Sequence, residues 1–156
     1  MPDTFPSLSD LRDQAQSVIY PRFDEKLALD LGNRLAQIAL NEGLGIVINI
    51  RTANRTLYHA ATPNSAALND LWARRKSNTA LITGKASLMV GVENRAKGRS
   101  LLDDGLNLAE YAENGGAVPV IVAATGLVAV ATVSGLPQVE DHALVIRAMQ
   151  AQISEF

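Results

Sequence analysis

The chain's only tryptophan lies in a short run of residues that is rich in cationic side chains. Arg75 and Lys76 follow Trp72 by three and four residues, so all three share one side of a helix. Arg75 also falls on the apolar stripe of that predicted helix, where a guanidinium requires a carboxylate, a partner chain or an anionic ligand to offset its desolvation. The alternative is structural: Trp72 packs in the core, while Arg75 and Lys76 extend to solvent or pair with Asp70 and other acids.

A second candidate site is the predicted strand-to-helix turn at residues 134–138. Gly135 permits an unusual backbone angle, and free amides at the start of a helix can hold an anion. His142 falls in the first helical turn, where the helix dipole lowers the pKa of an imidazole, although Glu140 and Asp141 oppose that effect. A neutral imidazole there can ligate a metal or relay a proton, so His142 is a candidate catalytic residue. The alternative is a capped helix start with a surface histidine.

His59 is the other of the two histidines. Strand alternation places it on the same side as Leu57 and Ala61, which favours a half-buried imidazole hydrogen-bonded within the core. One histidine can also suffice as an axial ligand of haem iron. Both His59 and His142 therefore remain open as metal ligands.

The sequence excludes several other chemistries. The chain has no cysteine, which removes disulfides, iron–sulfur clusters, thiolate zinc sites and cysteine nucleophiles. Gly84-Lys85 resembles the end of a phosphate-binding loop, but Thr79 stands where that loop has its first glycine. With 14 basic and 16 acidic residues the formal charge is -2, so we expect no nucleic-acid partner.

Length and composition predict a single domain over residues 1–156, in which residues 1–23 form an N-terminal extension with a short helix. The chain of 156 residues is 47% hydrophobic and 19% charged. No repeat or Pro/Ser-rich linker divides it. Residues 1–6 lack the basic start and apolar run of a signal peptide, so we expect a cytoplasmic protein.

The uncharged segment 115–139 is long enough to cross a bilayer. Pro119 near its start, Thr125-Gly126 in its middle and flanks rich in Val and Ile predict two buried strands joined by a tight turn instead. We therefore expect a β-hairpin here and no membrane partner.

Capping residues and hydrophobic periodicity predict the remaining elements. We expect helices from Ser7 or Ser9 to Ser17, from Asp24 to Glu42, from Asn64 or Ser65 to Gly84, from Asn107 to Gly115 and from Glu140 onward. We expect strands at 44–51, 56–61, 118–123 and 127–134. A short apolar element at 87–92 and a basic loop at 95–99 complete the prediction. This order predicts an α+β fold, a mostly antiparallel sheet flanked by helices.

Two of these helices carry apolar stripes that should face the core. The stripe of the second predicted helix contains Leu27, Leu31, Leu35 and Ile38. That of the third contains Leu68, Trp72, Arg75, Thr79 and Ile82.

Several runs of residues together resemble one protein family. They are Leu57-Tyr58-His59-Ala60, Asn69-Asp70-Leu71-Trp72-Ala73-Arg74-Arg75-Lys76, Ala96-Lys97-Gly98-Arg99, Gly115-Gly116-Ala117-Val118-Pro119 and Val133-Ser134-Gly135-Leu136-Pro137-Gln138-Val139-Glu140-Asp141-His142. From about Asp24 to the C-terminus the sequence resembles the GlcG/HbpS-like proteins, in particular the branch of haem-degrading-domain proteins of uncharacterised function.

The resemblance implies a profilin-like α/β sandwich that assembles into symmetric homo-oligomers. Some members of the family bind or degrade haem, so haem is the cofactor that the resemblance implies. Secreted haem sensors of the group handle iron through Glu-x-x-Glu pairs, and we expect no such iron site in this chain.

The resemblance also implies a division of labour among the candidate residues. The cationic side chains would neutralise carboxylates such as haem propionates, Trp72 would stack on a flat ligand, and His142 or His59 would offer a nitrogen to the iron. The strand-to-helix turn would lie beside them. The implied ligand-binding residues are Trp72, Arg75, Lys76, Ser134, Gly135 and Gln138.

Three functions follow from these observations. The first is a cytoplasmic homo-oligomer that binds a small anionic ligand such as haem or another tetrapyrrole. The second is a non-catalytic assembly protein, in which Trp72 and Arg75 are interface anchors. The third is an enzyme acting on a small carboxylate or aldehyde, with His142 as its acid–base group.

Overall fold

The structure is a computed structural model that describes residues 4–156, so the expectations placed on residues 1–3 lie outside the described residues. The helices are α1 (Leu8–Ser17), α2 (Glu25–Glu42), α3 (Ala67–Thr83), α4 (Ser87–Lys97) and α5 (Gln138–Ile153), with a 3-10 turn at Leu101–Asp104. The strands are β1 (Ile19–Tyr20), β2 (Val47–Arg51), β3 (Thr56–Ala61), β4 (Ala117–Val122) and β5 (Gly126–Ser134).

The five strands form one sheet in the order β1-β4-β5-β2-β3. Every neighbouring pair is antiparallel except β1 and β4, which are parallel. At its centre Asn49 on β2 pairs with His59 on β3 and with Thr132 on β5. The predicted α+β fold with a mostly antiparallel sheet flanked by helices is therefore confirmed.

The two faces of the sheet differ in chemistry. α2 and α5 cover one face with a hydrophobic core in which Leu31, Leu35, Ile48 and Met149 are fully buried. α3 covers the other face. Strand alternation gives that face a row of polar residues on β5, β2 and the edge strand β3: Asn49, Arg51, His59, Thr132 and Ser134.

Local sequence signals fix most helix boundaries. Asp24 caps α2 by accepting a hydrogen bond from the Leu27 amide at 2.9 Å, and Gly43 ends that helix in the left-handed conformation. Ser7 caps α1, as expected. The uncharged segment forms the predicted hairpin of β4 and β5, and no helix in residues 4–156 is long and apolar enough to span a membrane.

The start and the buried face of α3 differ from the prediction. Neither Asn64 nor Ser65 is the cap; Ala66 occupies that position, and its amide donates to Asn69 Oδ1 at 2.8 Å. Leu68 and Ile82 of the expected stripe are exposed. The buried residues of α3 are Ala73, Lys76, Ser77, Thr79 and Ala80.

Two further predictions are wrong. The apolar element at 87–92 and the basic loop at 95–99 are one helix, α4, which continues through Arg95 to Lys97 and ends at Gly98. No helix starts at Asn107. Its side chain instead accepts from the Ala109 amide at 2.8 Å, closing a local turn that competes with helix formation.

Candidate functional site

α3 packs on the sheet through polar side chains. The Arg51 guanidinium donates through Nε to Ser77 Oγ at 2.9 Å. Within the part of the chain that the structure describes, the buried atoms Asn49 Oδ1 and Thr132 Oγ1 have no hydrogen-bond partner. Buried polar groups without partners are uncommon and call for an explanation. This polar layer is therefore where we look for function.

A buried ion pair joins α3 to the first turn of α5. Lys76 Nζ lies 2.9 Å from Asp141 Oδ2, and the two side chains are 3% and 1% exposed. The Asp141 carboxylate also accepts from the amides of Gly135 and Leu136 at 3.3 and 2.9 Å. The amides that the sequence offered as an anion site are thus already bound by Asp141.

Charge and burial act against each other in this pair. Burial lowers the pKa of Lys76, and the Asp141 carboxylate opposes that change. Burial likewise raises the pKa of Asp141, against the opposing effect of Lys76. Lys76 is therefore buried and not exposed, and it pairs with Asp141 and not with Asp70. Pairing with an acid agrees with the structural alternative predicted for this residue.

An open cleft of about 240 Å³, which we call the Trp72 cleft, lies between α3 and this turn. It brings together five of the six predicted ligand-binding residues. The residues that line it are Asn69, Trp72, Lys76, Asn114, Ser134, Gly135, Leu136, Gln138 and Asp141. Gly135 has a φ of +146°, which confirms the unusual backbone angle expected there.

Arg75, the sixth predicted residue, stacks on the tryptophan. Its guanidinium carbon lies 4.3 Å from the centroid of the Trp72 ring, a cation–π contact. Its Nε donates to the Leu108 carbonyl at 2.8 Å. Arg75 is half-buried beside the cleft instead of lying on the buried stripe of α3.

His142 is buried and lies away from the Trp72 cleft. Its Nε2 is 2.7 Å from Gln14 Oε1, so that nitrogen carries the proton, and Nδ1 has no partner among residues 4–156. Burial lowers the pKa of His142 to about 4, so the imidazole is neutral near pH 7. The lowered pKa agrees with expectation, but burial causes it, and the surface histidine of the alternative reading is excluded.

A predominantly apolar cavity of about 230 Å³, which we call the α1 cavity, contains His142. Its walls come from α1, α4, β4 and α5, and Arg12 and Lys85 add cationic groups to the lining. The apolar side chains that line it include Leu11, Val18, Met89, Val118, Pro119, Ile121 and Ile146.

His59 is exposed and faces α3, so the predicted half-buried core position is wrong. Its Nδ1 lies 3.0 Å from Asn49 Nδ2, and its Nε2 lies 2.8 Å from Asp70 Oδ1. The Asn49 amide group donates to Nδ1, so Nε2 carries the proton and donates to Asp70. Neither ring nitrogen of His59 is free for a metal in this arrangement.

The predicted residues thus lie in three separate places: the Trp72 cleft, the α1 cavity and the exposed position of His59 facing α3. Asp141 and His142 are neighbours in sequence but face different spaces, the Trp72 cleft and the α1 cavity. Sequence reasoning missed Gln14 as the partner of His142, 128 positions away, because no local signal links them. It also missed Asn69 and Asn114, whose residue types are common in caps and turns.

The expectation of no Glu-x-x-Glu iron site needs correction, because Glu110 and Glu113 have that spacing. The two carboxylates are held apart by different partners. Glu110 pairs with Arg74 at 3.3 Å, and Glu113 accepts from Asn94 Nδ2 at 2.6 Å. In residues 4–156 no group of three or more candidate metal-ligating side chains is found.

Comparison with known proteins gives a consistent picture. A family model described as "Haem degrading protein HbpS-like" matches residues 23–150. UPF0303 protein SCO2848 of Streptomyces coelicolor is 40% identical over 153 residues, which cover 97% of each chain. The family model begins after α1, so the helix that covers the α1 cavity lies outside the matched region.

Solved structures share this fold. The crystal structure of Ybr137w protein aligns with a TM-score of 0.86 and 28% identity over 96% of this chain and 88% of the other. A PduOC:heme complex aligns with a TM-score of 0.66 and 19% identity over 86% of this chain and 96% of the other. The second likeness shows the fold alone, and the haem in it belongs to that protein.

Proposed function

The chain belongs to the HbpS-like haem-degrading family, and from that premise we propose that it binds a tetrapyrrole of the haem class in the α1 cavity. His142 is the proposed iron ligand, and Arg12 is the proposed partner of a propionate, because Lys85 already pairs with Glu93 at 2.9 Å. A bound haem would supply an iron centre, which the neutral imidazole of His142 would hold.

The observation that carries this proposal is the state of His142. Gln14 fixes the proton on Nε2, and Nδ1 is buried with no hydrogen-bond partner among residues 4–156. His142 lines a largely apolar cavity. A neutral imidazole with an unused lone pair is the form that ligates metals. Apolar walls with a few cationic groups suit a flat apolar ring that carries carboxylates.

The volume of the cavity sets a condition on binding. At about 230 Å³ it is smaller than the 300 Å³ or so at which pockets for drug-sized ligands begin. A whole porphyrin therefore requires α1 to move outward. Such a movement would break two hydrogen bonds between α1 and α5, Gln14 with His142 and Ser17 with Gln150. It would also withdraw Leu11 from its buried contact with Leu88 and Met89 of α4.

Titration of the purified protein with haemin, followed by absorption spectroscopy, tests the proposal. We expect a saturable Soret shift at about one haem per chain, because the cavity holds one imidazole. His142→Ala should abolish the shift. His59→Ala is the matched control and should keep it, since His59 lies in a different cleft.

Two results would overturn this assignment. One is weak, non-saturating binding shared by the wild type and both variants, which removes the haem proposal altogether. The other is loss of the shift in His59→Ala with retention in His142→Ala, which moves the ligand to the Asp70 side of α3. Circular dichroism of each variant checks that the fold is kept.

A second candidate function is the binding of a small carboxylate in the Trp72 cleft. The stacked Arg75 supplies a cation beside a cleft whose floor holds the neutralised Lys76–Asp141 pair. Because Trp72 is the only tryptophan, its fluorescence reports ligand entry directly. Acetate should change that fluorescence saturably in the wild type and at least tenfold more weakly in Arg75→Gln, whereas an unchanged signal would exclude this site.

We also propose that the chain forms a homo-oligomer through the outer side of α3. Leu68 and Leu71 are exposed there, and Leu108, whose carbonyl accepts from Arg75, is exposed beside them. Trp and Arg are the residue types that most often anchor interfaces, and Trp72 and Arg75 lie next to this patch. Contiguous apolar surface of this kind is typical of an interaction site.

A further inference from the structure

A third space, on the other flank of α3, is assigned to none of these functions. A polar cleft of about 460 Å³, which we call the Arg51 cleft, opens between β2, β3 and α3. It shares no lining residue with the Trp72 cleft or the α1 cavity. Its lining residues are Asn49, Arg51, Ala53, Thr56, His59, Asp70, Ala73, Arg74 and Asn78.

Arg51 is a half-buried cation whose described partners are all neutral. Its Nε donates to Ser77 Oγ at 2.9 Å, and one terminal nitrogen donates to Asn78 Oδ1. No carboxylate lies within ion-pair distance of Arg51 among residues 4–156. Burying a charge without an opposite charge is unfavourable, so the protein retains this arrangement at a cost.

A second guanidinium adds to that cost. Arg74 lines the same cleft, and burial together with the Arg74 charge lowers the pKa of Arg51. Arg74 has a partner in Glu110 at 3.3 Å, but both side chains are more than half exposed, and such surface pairs contribute little. Two cations therefore face one cleft, in whose described lining Asp70 is the single carboxylate.

The hydrogen bonds of Arg51 also fix the direction of its guanidinium. Ser77 and Asn78 on α3 take up Nε and one terminal nitrogen, which holds the planar group in place against the helix. The N–H groups of the remaining terminal nitrogen are left for a ligand. A planar guanidinium held in this way is suited to carboxylate and phosphate oxygens.

We propose that the Arg51 cleft is a second binding site, which takes a small metabolite bearing a carboxylate or phosphate group. Arg51 binds the oxyanion, and Arg74 contributes a second cation from the rim. Asp70, held by His59 through Oδ1, keeps its other oxygen for a hydroxyl or ammonium group of the same ligand. The ligand class is thus a small oxyanion that also carries a hydrogen-bond donor.

Isothermal titration calorimetry in a buffer free of phosphate and carboxylates tests the proposal. Inorganic phosphate and malate are the two probes, and malate supplies the hydroxyl donor as well. We expect one saturable site per chain for at least one probe, and the probe that binds more tightly identifies the oxyanion. Arg51→Gln should weaken that binding at least tenfold, because it removes a charge-assisted contact.

The matched control is Arg147→Gln. Arg147 is an exposed arginine on α5, paired with Glu42 at 3.1 Å on the opposite side of the sheet. Binding to this variant should equal that of the wild type. An equal loss in Arg147→Gln and Arg51→Gln would mean general charge attraction and would overturn the site.

Because Arg51→Gln also removes contacts with α3, two milder variants complete the test. Arg74→Gln changes an exposed side chain, and Ala53→Trp fills the cleft while keeping both cations. Both should weaken binding with unchanged circular dichroism. Wild-type affinity in both variants, or no saturable binding of either probe at millimolar concentration, would overturn the proposal.

Discussion

Asp141 and His142 are adjacent in sequence, but their side chains lie in different environments. Asp141 faces α3 and neutralises Lys76, while His142 faces the α1 cavity as a neutral imidazole. Successive positions of a helix point about 100° apart, so one helical turn can serve two spaces. The first turn of α5 therefore links the ion pair that holds α3 to the candidate iron ligand.

The buried His142 makes stability depend on pH. Its pKa is about 4 in the folded chain and about 6.5 when unfolded. Between these values the unfolded chain binds more protons than the folded chain. The stability that the neutral His142 contributes is therefore complete above pH 6.5 and is lost as pH falls toward 4. Between pH 7 and pH 4 the free energy of unfolding should fall by about 3 kcal/mol less in His142→Gln than in the wild type. Denaturant unfolding across this pH range measures the difference.

His59→Gln is the control for that measurement, because His59 is exposed. In His59→Gln, the fall in the free energy of unfolding that His142 causes between pH 7 and pH 4 should remain. Identical pH profiles for His142→Gln and the wild type would contradict the burial of a neutral imidazole.

The Lys76–Asp141 pair should be costly to break. Lys76→Met leaves the Asp141 carboxylate buried without its cation, and removal of one partner from a buried pair costs about 3–5 kcal/mol. Lys85→Met is the control, since the exposed Lys85 pairs with Glu93 and should lose less than about 1 kcal/mol. Equal free energies of unfolding for the two variants would show that Lys76 is not buried.

At the scale of elements, α3 is the helix that creates the two polar clefts. Its buried face places Lys76, Ser77 and Thr79 beside Ala73 and Ala80, and the Trp72 cleft and the Arg51 cleft open on its two flanks. α2, by contrast, seals the other face of the sheet with aliphatic side chains. The polar contacts of α3 thus place cationic and amide side chains at the walls of both of its clefts.

The contact between α2 and β3 gives a prediction at this scale. A Cβ added at Gly32 would lie 2.3 Å from Tyr58 Cγ, so helix and strand would have to separate. We expect Gly32→Ala to cost about 1–3 kcal/mol in thermal or denaturant unfolding. In the double variant with Tyr58→Ala the two effects should be less than additive. Full additivity would contradict the close approach.

At the scale of the whole molecule, the outer side of α3 remains uncovered in the single chain. Leu71 is 49% exposed and Leu40, on α2, is 58% exposed. If the α3 side is the homo-oligomer interface, Leu71→Glu should dissociate the assembly, because it buries a carboxylate in an apolar contact. Sedimentation velocity measures this, with Leu40→Glu as the control.

Leu40→Glu should leave the sedimentation coefficient unchanged. Dissociation by Leu40→Glu alone would place the interface on α2 instead. A wild-type chain that sediments as a monomer would remove the oligomer proposal.

The sequence by itself determined the features that depend on local interactions. Asp24 and Gly43 set the ends of α2, and the alternation and turn residues of 115–139 set the hairpin. The family was also readable from runs such as Val133–His142, and the family model that matches residues 23–150 confirms it. Where a local signal was weak it misled, as with Asn107, whose side chain closes a turn as readily as it caps a helix.

Only the tertiary structure decided which candidate residues meet. Lys76 and Asp141 are 65 positions apart, and His142 and Gln14 are 128 apart, so their pairing depends on how the layers stack. The stripe predicted for α3 was wrong for the same reason: the face of the sheet that it covers is polar, and polar residues therefore point inward. Helical periodicity shows which residues share a face, but the chemistry of the opposing surface decides which face is buried.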